Sequence, residues 1–218
     1  MGNDWSMPKN DTKLTPTFQI ETDLIAQDHG PVCGIDEAGR GPWAGPVVAA
    51  AVILDPENIP PGINDSKKLS HKMREKLFDT VHQTARVGVG IVGVDEIDTL
   101  NILQATFKAM RTAVGFLEIS PNTALIDGTG KPGLDCHMQT LIKGDQRSLS
   151  IAAASIIAKV TRDRIMEELA MEFPHYAWER NKGYGTAAHR AGLASHGVNE
   201  HHRKSYKPIQ KLLGTGPY

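Results

Sequence analysis

Between residues 46 and 54 the chain reads PVVAAAVIL, nine positions without a charge. Such a run of small and β-branched apolar residues predicts a strand of a buried sheet. Val32 to Asp36 predicts its neighbour, across a Gly/Pro-rich turn from Gly39 to Pro46. Both runs are far short of the roughly 20 residues a membrane span needs, so no membrane segment is expected.

The same reading extends along the chain. Met73, Leu77 and Val81 recur at helical spacing within Ser70 to Ala85, and Arg86 to Val94 predicts another strand. Leu100, Leu103, Phe107, Met110, Val114 and Leu117 continue one helical stripe, which predicts a single long helix ending near Pro121. Two further strands are expected at Thr123 to Asp127 and Met138 to Ile142. Ile151 to Glu172 predicts a helix buried in its first half and stopped by Phe173 and Pro174. Thr186 caps a short helix that Gly197 ends, and Pro208 to Leu213 adds a last turn. Strands early, with helices between and after them, indicate an α/β layer architecture.

At 218 residues the chain is one large domain with room for at most an appendage. The expected division is a polar leader over 1–28, a core over 29–173, and a basic helical segment over 174–218 packed on that core. The two cysteines, Cys33 and Cys136, lie in no CxxC pattern. They are read as free thiols of a cytoplasmic protein, which argues against a disulfide framework and a zinc finger. A monomer is the default expectation.

Formal charge sums to −1 but is unevenly spread. Residues 175–218 hold seven Lys or Arg against two acids, while the preceding residues hold 17 against 23. A basic tail rich in histidine suits either a solvated surface or contact with nucleic-acid phosphates.

One apparent nucleotide motif fails on context. Gly88, Gly90 and Gly93 spell GxGxxG, but Val87, Val89, Ile91, Val92 and Val94 place those glycines inside a strand rather than at the turn after one. They are read as strand glycines that permit close packing.

Acids at strand ends carry the chemistry. Asp36 and Glu37 follow Val32, Cys33 and Ile35; Asp127 follows Ala124, Leu125 and Ile126; Asp145 follows Leu141, Ile142 and a Lys143-Gly144 turn. Singly, each reads as a turn residue. Together, carboxylates gathered at the ends of buried strands need a compensating charge, and hard divalent cations with oxygen ligands, Mg²⁺ or Mn²⁺, supply it. Adjacent strand residues point to opposite faces, so Asp36 and Glu37 are expected to share a site only where the pleat is lost near Gly39. The Gly39-Arg40-Gly41 turn can present backbone amides to an oxygen-rich ligand.

The string GIDEAGRGPWAGPVVAAAVIL at 34–54 resembles the signature of ribonuclease HII. NDSKKLS at 64–70, ALIDG at 124–128, KGDQRSLSIAAASIIAKVTRDR at 143–164, NKGYGT at 181–186 and HRKSY at 202–206 resemble further blocks of that family, in its order. The resemblance implies a ribonuclease H-like fold, a central mixed β-sheet flanked by helices, with the small helical C-terminal appendage. It implies a metal-dependent endonuclease acting on the RNA strand of RNA/DNA hybrids and 5′ of ribonucleotides embedded in DNA, leaving 3′-hydroxyl and 5′-phosphate ends. Asp36, Glu37, Asp127 and Asp145 would bind two divalent ions, Mg²⁺ or Mn²⁺, with Asp36 bridging.

By the same resemblance, Gly39, Arg40 and Gly41 would read the 2′-hydroxyl and Tyr184 would stack on the sugar after the ribonucleotide. Lys67, Lys68, Lys143, His189, Arg203 and Lys204 are expected at phosphates. Ser148, Ser150 and Ser155 are expected mostly to cap the helix beginning near 148. Trp43 and Tyr206 depart from the residues usual in the family. Chain length and Gly-Arg-Gly favour type HII over HIII. Gln210 with Leu213 resembles a sliding-clamp peptide only weakly, because Gly214-Thr215-Gly216 replaces the aromatic pair. Two alternatives stay open at this point: a DNA-cutting nuclease of the same superfold, and a non-catalytic binding module.

Overall fold

The computed structural model describes residues 15–215. Five strands, β1 (Val32–Ala38), β2 (Val47–Leu54), β3 (Ala85–Val92), β4 (Thr123–Asp127) and β5 (His137–Leu141), form one sheet in the order β3-β2-β1-β4-β5. β1, β2 and β3 pair antiparallel, whereas β4 and β5 join β1 in parallel. The helices are α1 (Gln19–Ile25), α2 (His71–Thr84), α3 (Val94–Leu100), α4 (Ile102–Gly115), α5 (Leu149–Glu172), α6 (Trp178–Asn181), α7 (Ala187–His196) and α8 (Lys207–Leu213).

The uncharged β2 run is explained by two buried faces. Val48, Ala50, Val52 and Leu54 pack with the buried sides of α2 and α5, while Val47, Ala49 and Ala51 pack with α3 and α4. Period-2 geometry divides one strand between two cores, and neither face tolerates a polar residue. The small residues set how closely the helices approach. A Cβ at Gly88 or Gly90 would lie 2.0 Å from the carbonyl oxygen of Ala113 or Ala109 on α4, so these are packing glycines, as their sequence context indicated.

The expected single helix through 100–117 is two helices. Asn101 adopts φ 68° and breaks the run, and its Oδ1 accepts the amides of Leu103 and Gln104 to cap α4. Apolar spacing persists across the break, but Leu100 and Leu103 beside it are exposed. Within the stretch expected as a polar leader, Ile20 and Leu24 of α1 pack on Val32, Leu125, Leu141 and Ile151. Residues 1–14 of the leader lie outside the described residues.

In the C-terminal part, Tyr176, Trp178, Leu193 and Ile209 cluster with Ala44, Met166 and Ala170. Cys33 and Cys136 are both free thiols. Among the described residues, no helix is long and apolar enough to cross a membrane.

Candidate active site

The parallel half of the sheet assembles the acids. Ile35 of β1 is level with Ile126 of β4, so the next residues along, Asp36 and Asp127, leave the two strands at the same height. Asp127 is in turn level with Leu141 of β5. The chain then turns through Lys143, at φ 54°, into a 3₁₀ turn over Gly144–Gln146 that carries Asp145. Carboxyl ends of parallel strands are where open α/β sheets place ligands.

Glu37 joins them by a route the sequence did not indicate. The pleat is not lost at this point, because β1 stays paired with β2 as far as Ala38 opposite Val48. Pairing with β4, however, ends at Ile35, which leaves that side of β1 open beside both acids. The Glu37 amide donates to Asp36 Oδ1 at 2.7 Å.

Asp36 is only 6% exposed. Burial, followed by the charges of Glu37 and Asp127, holds its carboxyl well above the usual carboxylate range. Burial also raises Glu37, against the pull of Arg40, whose Nη1 lies 3.4 Å from its Oε1. Asp145 is pushed up to about 6 by burial and then by Asp65 and Asp127, while Lys67 Nζ stands 3.9 Å from its Oδ2. Lys67 itself is raised: burial acts downward, and Asp36 and Asp145 outweigh it. Too much negative charge is therefore gathered for the two cations beside it.

A cavity of about 360 Å³ opens in front of these groups, lined by Asp36 and Glu37, by Gly39, Arg40 and Gly41, and by Lys67 and Tyr184 among others. Asp127 and Asp145 lie outside that lining but within electrostatic reach of Asp36. Tyr184 is 51% exposed, and a Cβ at Gly41 would lie 3.3 Å from its Cε1. Lys143 is exposed in the turn before Asp145, and Lys68 and Lys204 are exposed as well.

Two residues expected at phosphates are not at the surface. His189 is wholly buried; its Nδ1 meets the Tyr184 carbonyl at 3.0 Å, and its Nε2 meets Trp178 Nε1 and His202 Nε2, each at 3.1 Å. Arg203 is wholly buried too, with its donors spent on backbone carbonyls and the Tyr206 hydroxyl. Neither can touch a phosphate outside. Of the three serines, only Ser148 caps α5, accepting the Ile151 amide at 3.1 Å. Ser150 lies inside α5, and Ser155 accepts the Ser66 amide while donating to the Ala152 carbonyl.

Sequence reasoning missed Ser66, Lys159 and Arg162, which also line the cavity. A signal was present: Ser155, Lys159 and Arg162 stand at i, i+4 and i+7 of one helix, hence on one face. Asp65, buried beside Asp145, was missed as well; its carboxylate accepts the Lys67 amide at 2.9 Å and Gln146 Nε2 at 3.3 Å.

Among the described residues, no three His, Cys, Asp or Glu side chains are gathered as ligands of one ion. Glu37 is turned to Arg40, Asp145 faces Lys67, and Asp127 Oδ1 accepts the Gly144 amide. The donor set is nevertheless all carboxylate, with no imidazole or thiolate at the site, which suits a hard divalent cation.

The profile of the ribonuclease HII family matches residues 33–209. A ribonuclease HII from Ruegeria pomeroyi is 54% identical over 199 residues, covering 91% of this chain and 85% of the relative. Among solved structures, ribonuclease H2 from Pyrococcus horikoshii OT3 superposes with a TM-score of 0.70 at 28% identity, covering 83% of this chain and 96% of the other. The PCNA:RNase HII complex from Archaeoglobus fulgidus gives 0.69 at 28%, covering 81% and 95%. With the strand-end acids, the Gly-Arg-Gly turn and the fold all in agreement, the chain belongs to the ribonuclease HII family and is a hydrolytic nuclease of ribonuclease H type with a ribonuclease H-like fold.

Proposed function

We propose that this chain cuts the RNA strand of RNA/DNA hybrids and also incises DNA on the 5′ side of embedded ribonucleotides, leaving 3′-hydroxyl and 5′-phosphate ends. The observation that carries this reading is the burial of Asp36 among Glu37, Asp127 and Asp145, directly beside a Gly39–Gly41 loop that faces the same cavity. A DNA-only nuclease has use for the acids but not for an open glycine loop against an exposed tyrosine. A binding module has use for neither the acids nor their raised carboxyls.

Asp36, Glu37, Asp127 and Asp145 would hold two divalent cations, Mg²⁺ or Mn²⁺. When bound, they would supply charge to offset the gathered carboxylates and Lewis acidity to favour hydrolysis of the phosphodiester with a 3′-hydroxyl leaving group. The remaining work belongs to the chain. Arg40 and Lys67 stand at the cavity beside Glu37 and Asp145, where they meet the phosphate flanking the cut. Lys143 meets the strand further along. The Arg40 and Gly41 amides donate to the 2′-hydroxyl, which is the group that separates RNA from DNA at one position. Tyr184, packed against Gly41, lies along the next sugar and favours a deoxyribose there.

A sliding clamp is only weakly suggested as a partner, and the similar PCNA:RNase HII complex from Archaeoglobus fulgidus is what supports it. Leu212 and Leu213 are exposed at the end of α8, but no aromatic pair follows Gln210.

The deciding experiment is incision of a labelled DNA duplex carrying one ribonucleotide, in Mg²⁺ or Mn²⁺, with an all-DNA duplex and EDTA as controls. Cutting confined to the 5′ side of the ribonucleotide and lost in EDTA is expected, and Asp127→Asn should abolish it while leaving binding. Equal cutting of the all-DNA duplex would sink the reading.

A further inference from the structure

Two buried arginines lie behind the Gly39-to-Pro46 loop, and neither meets a carboxylate. Arg203, 0% exposed, donates to the carbonyls of Gly39 at 2.5 Å, Arg40 at 3.0 Å, Gly45 at 2.9 Å and Pro46 at 3.1 Å. Arg162, 2% exposed, donates to Pro46 at 2.9 Å, to Ala44 at 3.1 Å, and to Lys182 of the turn before Tyr184 at 2.9 Å. Among the described residues neither takes part in an ion pair. Asp163, next to Arg162 in sequence, is held by Lys159 at 2.7 Å.

Two cations buried without a carboxylate in contact are costly: Asp98 and Asp163 act on them only from a distance, and each arginine bears the charge of the other. Arg162 is pushed down to about 10 by burial and then by the charge of Arg203. Apolar side chains could fill the space, but they could not bind carbonyls.

What the carbonyls gain is direction. A trans peptide points its N–H away from its C=O. With the Gly39 and Arg40 carbonyls drawn back to Arg203, the amides of Arg40 and Gly41 are turned the other way, and the loop they belong to lines the cavity beside Asp36. Neither amide has an acceptor among the described residues. Gly39 sits at φ 97°, and a Cβ there would lie 2.1 Å from Arg162 Nε, so the guanidinium occupies the space a side chain would take. Arg162 also reaches the turn that carries Tyr184, which ties both halves of the proposed sugar-reading surface to one side chain.

We infer that Arg203 and Arg162 are positioning residues for substrate discrimination. They grip the carbonyl side of the loop so that the Arg40 and Gly41 amides are fixed donors to the 2′-oxygen of the ribonucleotide. This rests on the proposed reading of the loop. Lysine cannot substitute, because one ammonium does not span carbonyls that a planar five-donor fork reaches together.

The test uses the full chain and two duplexes of one sequence, with a 2′-hydroxyl or a 2′-fluoro group on the nucleotide at the cut. The readout is the ratio of kcat/KM between them. The wild type should prefer the hydroxyl, and Arg203→Lys and Arg162→Lys should each shrink that preference on the order of tenfold. A merely structural role would lower both rates together and leave the ratio untouched. If Arg203→Lys fails to fold, Arg162→Lys carries the test. A wild-type preference with unchanged ratios in the folded variants would overturn this assignment alone. Equal cutting of both duplexes by the wild type would overturn the reading of the loop and this assignment with it.

Discussion

The amide of Gly144 donates to Asp127 Oδ1 at 2.6 Å, fastening the turn that carries Asp145 to the acid at the end of the neighbouring strand. A side chain is crowded at this position: a Cβ on Gly144 would lie 2.6 Å from Ile151 Cδ1, which would have to shift, and 3.3 Å from Asp127 Oδ1. Gly144→Ala should therefore move two acids at once. Overpacking of this kind costs about 1–3 kcal/mol, which for a chain of this size lowers Tm by roughly 2–12 °C. Hybrid cleavage should fall further than that stability loss accounts for, by about 100-fold in kcat. Steady-state kinetics well below Tm check this, and a kcat within about twofold of wild type would show that the link does not matter.

The raised carboxyl of Asp145 fixes the sign of a pH effect. Its folded value, about 6, lies above the ordinary value near 3.9, so folding favours the protonated form. The stability it contributes is complete below about pH 4 and is lost as pH rises through 6. In EDTA, the urea midpoint of wild type should fall relative to that of Asp145→Asn between pH 4 and 7. Adding Mg²⁺ or Mn²⁺ near pH 8 should restore the wild type more than the variant, since metal binding to carboxylates is coupled to folding. Parallel midpoints across that range in EDTA would contradict the account.

Legibility in the sequence tracked how local each cause was. The β2 run, the acids after the apolar stretches at 32–35 and 124–126, and the Ser148 and Thr186 caps are decided within a few residues, and the structure has them. The break at Asn101 was hidden because the apolar spacing continues across it, while one residue at positive φ caps the second helix. Arg203 and His189 were misplaced for a different reason. Their partners are carbonyls and rings distant in sequence, Gly39 lying 164 positions from Arg203, and a basic tail gives no sign of which cations turn inward. Glu37 depended on where β4 stops pairing, which no single-strand pattern shows.

Lys67 has an 82% exposed side chain whose ammonium faces Asp145 from the cavity. A phosphate contact from such a residue adds to affinity without sequence preference and releases a counterion. Lys67→Ala should weaken hybrid binding and reduce the slope of log K against log salt by about one. Binding titrations from low to moderate salt in Ca²⁺, at fixed pH, give that slope, and an unchanged slope would remove Lys67 from the phosphate path.

Tyr184 stands half exposed over Gly41 rather than inside the aromatic cluster of Tyr176 and Trp178. Stacking on the sugar past the cut matters most where one ribonucleotide has to be found in DNA. Tyr184→Ala should slow single-ribonucleotide incision more than cleavage of a continuous hybrid, by about tenfold in relative kcat/KM. Equal slowing on both substrates would reduce the ring to a packing role.

Glu21 is the buried acid furthest from any expectation, since it lies in the stretch that reads as a polar leader. Its Oε1 accepts the Ser148 hydroxyl at 2.5 Å and the Ser150 amide at 2.9 Å, at the N-terminus of α5. The positive end of a 24-residue helix favours a carboxylate there. α5 also carries Lys159 and Arg162 into the cavity, so α1 holds the start of the helix that supports the site. Glu21→Ala leaves a buried hydroxyl and a buried amide unpaired, which should lower unfolding free energy by about 2–4 kcal/mol. Glu21→Gln keeps the Oε1 acceptor while losing the charge, and should recover about half of that. Urea denaturation of the three proteins gives the order wild type, Gln, Ala, and an Ala variant as stable as wild type would show that α1 is dispensable to the start of α5.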